Sequence, residues 1–70
     1  MLTSVNDVLA ELGGTAAVAR FAGVGMAAVS NWRHRGKIPP ENFLTFSDAL
    51  MRKGHRVDPS VFGLHIPEKV

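Results

Sequence analysis

Glycines and prolines divide this chain into short segments, which restricts its fold to small helices joined by tight turns. Helix-breaking residues stand at positions 13, 14, 23, 25, 36, 39, 40, 54, 59 and 63. Within the intervening segments, apolar residues recur at three- and four-residue intervals, the pattern of one buried helix face. The pattern therefore predicts an all-α fold of four or five helices.

Candidate caps help to place each predicted helix. Helices are predicted over residues 4–12, 16–22, 26–35 and 41–53. Thr3 or Ser4 is the expected N-cap of the first helix and Thr15 of the second, because a hydroxyl oxygen can accept from an unpaired helix amide. Asp58 followed by Pro59 predicts one further helical turn, although the C-terminal tail could instead pair as a short strand.

Length and the absence of cysteine determine how such a fold can be stabilised. Residues 1–70 form a single domain, and a hydrophobic share of 46% is enough for a folded core. Without disulfides, so small a core depends on helix packing or self-association, which favours a homodimer. Residues 55–70 are the candidate dimerisation segment, particularly the apolar residues Val57, Val61, Phe62, Leu64 and Ile66.

The sequence contains no apolar run long enough to span a membrane, and its N-terminus does not have the pattern of a signal peptide. A cytoplasmic protein is therefore expected. The three histidines, His34, His55 and His65, are too far apart for a compact metal site, and no cysteine joins them. We expect no metal, no cofactor and no small-molecule ligand.

Charge is distributed unevenly, although the formal net charge is only +2. No acidic residue occurs between Leu12 and Pro40. Four cations fall within that stretch: Arg20, Arg33, Arg35 and Lys37. A local cationic surface favours a polyanionic partner, but a solvated basic face would have the same composition.

Small residues in the middle of the chain allow two short helices to cross closely. Ala19 leaves room for the following helix, and Gly23 permits the unusual backbone angles of a tight turn. Trp32 follows Val29 by three residues, so both are predicted to face the core. Further apolar contacts between the two helices are expected from Val18, Ala22 and Val24, and the core or a dimer interface is expected to hold Phe21, Phe43, Phe46 and Phe62.

The stretch from Thr15 to His34 resembles the helix-turn-helix of the phage Cro and C1 repressor family. The residues that carry the resemblance are Thr15, Val18, Ala19, Ala22, Gly23, Val24, Val29, Ser30 and Trp32. Residues 28–39 are especially similar to small Cro-like repressors, in which a Val-Ser-x-Trp helix runs into an Arg-Gly-x-Ile-Pro exit. The resemblance implies a transcriptional regulator, expected to be a repressor of phage or prophage origin, that binds double-stranded operator DNA as a homodimer.

The resemblance also implies that the third helix enters the major groove while the second crosses the phosphate backbone. The residues expected at the bases are Gly25, Met26, Ala27, Ser30, Asn31 and His34. Asn31 is the best base reader, because its amide can both donate to and accept from an adenine edge. The residues expected at phosphates are Arg33, Arg35 and Lys37, with Thr15 and Arg20 adding contacts from the second helix.

The start of the third helix differs from that of many family members. They carry glutamine or another polar residue there, whereas this chain has the triplet 25–27 of glycine, methionine and alanine. Side chains of this kind can touch a thymine methyl group but cannot form hydrogen bonds. Only backbone amides remain to bind a phosphate at this point.

Other functions are compatible with a helix-turn-helix. The motif could serve as a protein-protein adaptor or an antitoxin-like module without enzymatic activity, since fold alone does not establish function. A small hydrolase is disfavoured because Ser30 has no histidine and carboxylate arrangement to activate it. A second basic cluster, formed by Arg52, Lys53, His55 and Arg56, could complement the end of the fourth helix or contact a phosphate.

Overall fold

The computed structural model describes residues 1–64, which form four α-helices and two short 3₁₀ helices. The α-helices are α1 (Val5–Glu11), α2 (Thr15–Ala22), α3 (Met26–Arg35) and α4 (Phe43–Arg52). The 3₁₀ helices are Pro40–Asn42, directly before α4, and Pro59–Phe62 after it. A single parallel bridge between Leu2 and Val57 is the only β-type pairing in this part of the chain. The prediction of an all-α fold is confirmed.

The N-cap predicted for α1 is confirmed, and the N-cap predicted for α2 is wrong. Ser4 is the N-cap of α1, and its Oγ accepts from the amide of Asp7 at 3.1 Å. Thr15 is not the N-cap of α2, because the helix already begins at this residue and Gly14 precedes it as the cap. Gly14 has a φ of +99°, which a residue with a side chain rarely adopts, so the chain completes its turn before the threonine.

The segment around α4 differs in detail from the predicted helix over 41–53. Its beginning is a 3₁₀ helix with Pro40 in the first turn, and the regular α-helix starts only at Phe43. The predicted turn after Asp58 is confirmed: the Asp58 carboxylate accepts from the amide of Ser60 at 3.0 Å and the turn covers Pro59–Phe62. The predicted alternative of a short strand in the tail is not found in residues 55–64, where Val57 forms only an isolated bridge with Leu2 and Pro59–Phe62 is a 3₁₀ helix; Ile66 lies outside the described range.

The core lies where α1, α2, α3, α4 and the second 3₁₀ helix meet. It consists of Val5, Val8, Leu9, Val18, Ala19, Val29, Trp32, Ile38, Phe46, Leu50, Val61 and Phe62. Phe46 is fully buried, and its ring lies 6.1 Å from the ring of Trp32 and 6.0 Å from that of Phe62, both edge to face. Trp32 is only 7% exposed, which confirms its predicted place in the core.

Phe21, expected in the core or a dimer interface, and Val24, expected between α2 and α3, are both partly exposed. Phe21 touches the edge of the core, with its ring 5.5 Å from that of Phe46, but remains 48% exposed. Val24 was predicted to hold α2 and α3 together by apolar contact, yet its side chain is exposed. The backbone closes the turn instead, because the Val24 amide donates to the carbonyl of Ala19 at 3.0 Å.

Part of the predicted dimerisation segment belongs to the core. Val61 and Phe62 are buried, and Val57 and Leu64 are half-buried against the same cluster. The second 3₁₀ helix directs them inward, and the amide of Ile38 donates to the Val61 carbonyl at 2.8 Å. Their assignment to a surface between subunits is therefore wrong for Val61 and Phe62, which the protein's own core already covers.

Candidate nucleic-acid interface

Helices α2 and α3 are joined by a three-residue turn whose shape depends on two glycines. Gly23 ends α2 with a φ of +72°, in the left-handed region that favours glycine. Gly25 is extended and serves as the N-cap of α3. Ala19 is buried at the crossing next to the fully buried Val18. The small side chain and the turn together bring α3 against α2, so the orientation of α3 is determined by local sequence.

Only one side of α3 faces the core. Val29 and Trp32 are buried, Ala28 is half-buried, and the remaining side chains of the helix are exposed. At about 100° per residue, the line opposite the buried pair is formed by Ala27, Ser30, Asn31 and His34. Met26 lies beside this outward row and is 56% exposed. The base-reading candidates therefore share one solvent-facing surface, with exposed Gly25 at its start.

The predicted phosphate-binding cations flank this outward row. Arg33 and Arg35 are two residues apart and thus about 200° apart around the helix axis, so they leave α3 on opposite sides. Lys37 follows the helix in the exit segment and is also exposed. Its aliphatic stem lies beside the second 3₁₀ helix, where a Cβ on Gly63 would come within 3.6 Å of the lysine Cδ. Cations thus border the row on both sides.

Arg33 is oriented by a residue that the sequence did not identify. Its Nε donates to the Oδ1 of Asn6 at 3.2 Å, joining α3 to α1. Asn6 stands 27 residues earlier in an exposed position of α1, where no periodicity or motif distinguishes it. This bond uses Nε. The two terminal guanidinium nitrogens of Arg33 have no hydrogen-bond partner among residues 1–64.

The N-terminus of α2 presents backbone donors without a side-chain cap. Thr15 is half-buried at the first position of the helix. Gly14 offers no side-chain cap, so the first amides of α2 lack the hydrogen bond that a capping oxygen would supply. Free amides at the positive end of a helix dipole are suited to an anion.

The second basic cluster is largely occupied by contacts within the chain. Lys53 Nζ donates to the carbonyl of Glu11 at 3.0 Å, and His55 Nε2 lies 2.9 Å from a carboxylate oxygen of the same residue. Arg52 pairs with Asp48 one helical turn earlier at 3.2 Å. The contacts of Lys53 and His55 join the end of α1 to the segment after α4, the contact of Arg52 lies within α4, and Arg56 is the cluster member without such a contact among residues 1–64.

The cations of α3 and its exit segment differ from Arg52 and His55, which lie close to carboxylates. The two close contacts between a basic side chain and a carboxylate in residues 1–64 involve α4 or the segment after it. No carboxylate in the same range lies within ion-pair distance of Arg35 or Lys37. The charges near α3 are therefore not neutralised by the described protein and attract anions from solution.

Two further properties concern the described range only. No group of three or more histidine or acidic side chains in residues 1–64 is arranged to hold a metal ion. None of the four α-helices has the length and apolar character needed to cross a membrane.

Comparisons with protein-family models, curated proteins and solved structures found no match to the chain.

Proposed function

We propose that this protein is a sequence-specific DNA-binding protein and acts as a Cro-like transcriptional regulator. One observation carries the proposal: the outward row of α3 is solvent-exposed and bordered by Arg33 on one side and Arg35 on the other. A helix of this width fits the major groove, where its cations reach the phosphates on either side.

The outward row supplies the groups for reading bases. Asn31 can pair with an adenine through its amide, while Ser30 and His34 can donate to or accept from neighbouring base edges. Ala27 and Met26 offer apolar contact to a thymine methyl group. The middle of α3 is thus proposed to recognise bases through polar contacts, and its beginning through apolar contacts.

Phosphate binding is proposed for the residues around that row. Arg33, Arg35 and Lys37 act as cations, and the uncapped amides at Thr15 and the following residues bind a phosphate through the helix terminus. Each neutralised phosphate releases counterions from the DNA, which favours binding at low salt.

Repression by such a protein needs no chemical step, because an occupied operator excludes polymerase. The proposed working form is a homodimer in the bacterial cytoplasm, with the two copies of α3 about 34 Å apart on a palindromic site. By resemblance, the regulator belongs to a phage or prophage. Whether the bound protein lowers or raises transcription can be measured with a reporter gene once an operator has been selected from random DNA.

A salt titration tests the DNA-binding proposal directly. Fluorescence anisotropy with a labelled random duplex should show affinity falling steeply with salt, with a slope of about −0.9 in the log-log plot for each phosphate neutralised. Arg35→Ala should flatten this slope by about 1 for each copy of the protein bound. Lys53→Ala is the control, since it removes one positive charge from an exposed position outside α3 where the cation is already bound to the carbonyl of Glu11.

The outcomes separate the proposal from its main alternative. Binding without salt dependence, or an equal loss of slope in both variants, would contradict the assigned phosphate contacts. The alternative is an adaptor or antitoxin-like module that binds protein, and the exposed Val24 and Met26 at the beginning of α3 favour it. It predicts no appreciable binding to duplex DNA at any salt concentration.

A further inference from the structure

The outer side of α4 carries the exposed apolar residues that the core does not use. Leu44 is 78% exposed and Met51 is 62% exposed. They are seven residues apart, which is two helical turns, so they lie on one stripe of the helix. Phe46 and Leu50 occupy the opposite side and are buried in the core. Helix α4 therefore carries large apolar side chains on its outer side too, where they lie among the exposed residues Thr45, Asp48 and Arg52.

Neighbouring segments add exposed apolar side chains on both sides of this stripe. On one side, Phe21 from α2 and Leu44 line a shallow depression together with Ala49. On the other side, Met1 and Met51 line a second depression. Four of the six large hydrophobic side chains exposed in the described range line these two depressions, and the remaining two lie at the beginning of α3. We call this surface the α4 face.

The charges on the α4 face indicate what kind of partner fits it. Arg56 lines the second depression and has no carboxylate partner in residues 1–64, whereas Asp48 and Arg52 line the first depression and pair with each other at 3.2 Å. One acid and one base leave this depression without a net charge, so it neither attracts a polyanion nor selects a strongly charged protein. A two-fold axis would place a second α4 antiparallel to the first, with the acid and the base in reversed order. The same pair is then complementary to its own copy.

We propose that the α4 face binds a second copy of this chain. The expectation of a two-fold pair rests on the proposed function, whereas the choice of face rests on the exposed apolar residues and the self-complementary charges. The face replaces Val61 and Phe62, which are buried and cannot contact a partner. A standard interface covers about 800 Å² of each partner. That is about a sixth of this chain's surface of 4590 Å².

Sedimentation equilibrium over a range of protein concentrations tests the proposal. The full chain should be dimeric at high concentration. Leu44→Glu should weaken the dimer at least tenfold, because it places a carboxylate in the apolar stripe of both copies. Ala10→Glu is the matched control: it adds the same charge at an exposed helical position that lines neither depression, and it should leave the dimer intact. Circular dichroism of both variants checks that they fold.

A charge-reversal pair tests the relation between the two copies. Asp48→Arg leaves only bases at this pair of positions, and Arg52→Asp leaves only acids, so each variant alone should dimerise more weakly than the original chain. Mixing the two variants should restore the dimer as a heterodimer, detected by labelling one of them. A chain that is monomeric at every concentration would overturn the proposal. So would a Leu44→Glu variant that remains dimeric together with a mixture of the two charge variants that does not form the heterodimer.

DNA binding distinguishes a failure of this inference from a failure of the proposed function. A chain that dimerises through the α4 face but does not bind duplex DNA supports the inference and removes the function. A chain that binds duplex DNA yet remains dimeric in the Leu44→Glu variant keeps the function and overturns the inference.

Discussion

Replacing Ala19 with leucine tests whether close packing of α2 against α3 holds the outward row in place. Ala19 is buried, Val18 and Val29 are fully buried, and no polar or charged residue of the range 1–64 is buried among them. A leucine adds three carbon atoms to this crossing. Overpacking of this kind costs about 1 to 3 kcal/mol, and occasionally more. For 70 residues, the total free energy of unfolding is of the order of 3.5 to 10 kcal/mol, so the loss is a large fraction of it.

Thermal unfolding followed by circular dichroism measures this loss. For a domain of this size, each kcal/mol shifts the Tm by about 4 to 8 °C, so Ala19→Leu should lower the Tm by about 4 to 24 °C. Ala16→Leu is the matched control, because it makes the same change at an exposed position of the same helix and should alter stability by about 0.5 kcal/mol or less. An unchanged Tm for Ala19→Leu, or an equal decrease in both variants, would refute the assigned crossing.

Three further predictions concern the interface and one helix end. Asn31→Ala should weaken binding to a selected operator by about 1 to 3 kcal/mol and leave random duplex unaffected in anisotropy titrations; an equal loss on both DNAs would exclude base reading. Asn6→Ala should lower affinity for every duplex because it releases the guanidinium of Arg33. Urea unfolding should show that the free energy of unfolding falls by about 1 kcal/mol or less. Unchanged affinity would show that the 3.2 Å bond does not orient the arginine. Ser4→Ala should cost about 1 kcal/mol of unfolding free energy, whereas Thr3→Ala, which removes no cap, should cost little; equal losses would contradict the assigned N-cap.

Most of the secondary structure could be predicted because its signals are local. The left-handed angles of Gly23 and Gly36 end α2 and α3 where the sequence indicated, and Asp58 caps the turn that it was expected to cap. The error at Thr15 has the same origin, since two consecutive glycines before it allowed the chain to turn one residue earlier. At Pro40 the helix begins with a 3₁₀ turn, a difference in the geometry of a single turn that periodicity does not register.

The candidate site was predicted less completely. The nine residues expected at the DNA in α3 and its flanks are all exposed, as the spacing of Val29 and Trp32 suggested. The contact between Asn6 and Arg33 was not predictable, because it joins residues 27 positions apart and depends on how α1 packs beside α3. The aromatic residues show the same limit: all four lie on apolar helical stripes, yet Phe46 is buried and Phe21 is half outside.

The amino-acid sequence by itself determined the order and approximate bounds of the helices, which side of α3 is buried, and that the middle of the chain is cationic. These properties depend on backbone angles, capping groups and side chains within one or two helical turns. Only the tertiary structure decided that Val61 and Phe62 complete the core while Leu44 and Met51 remain outside, and that Asn6 holds Arg33. Those outcomes depend on which apolar surfaces are within reach when distant segments pack, and a finite core buries the ones that fit together most closely.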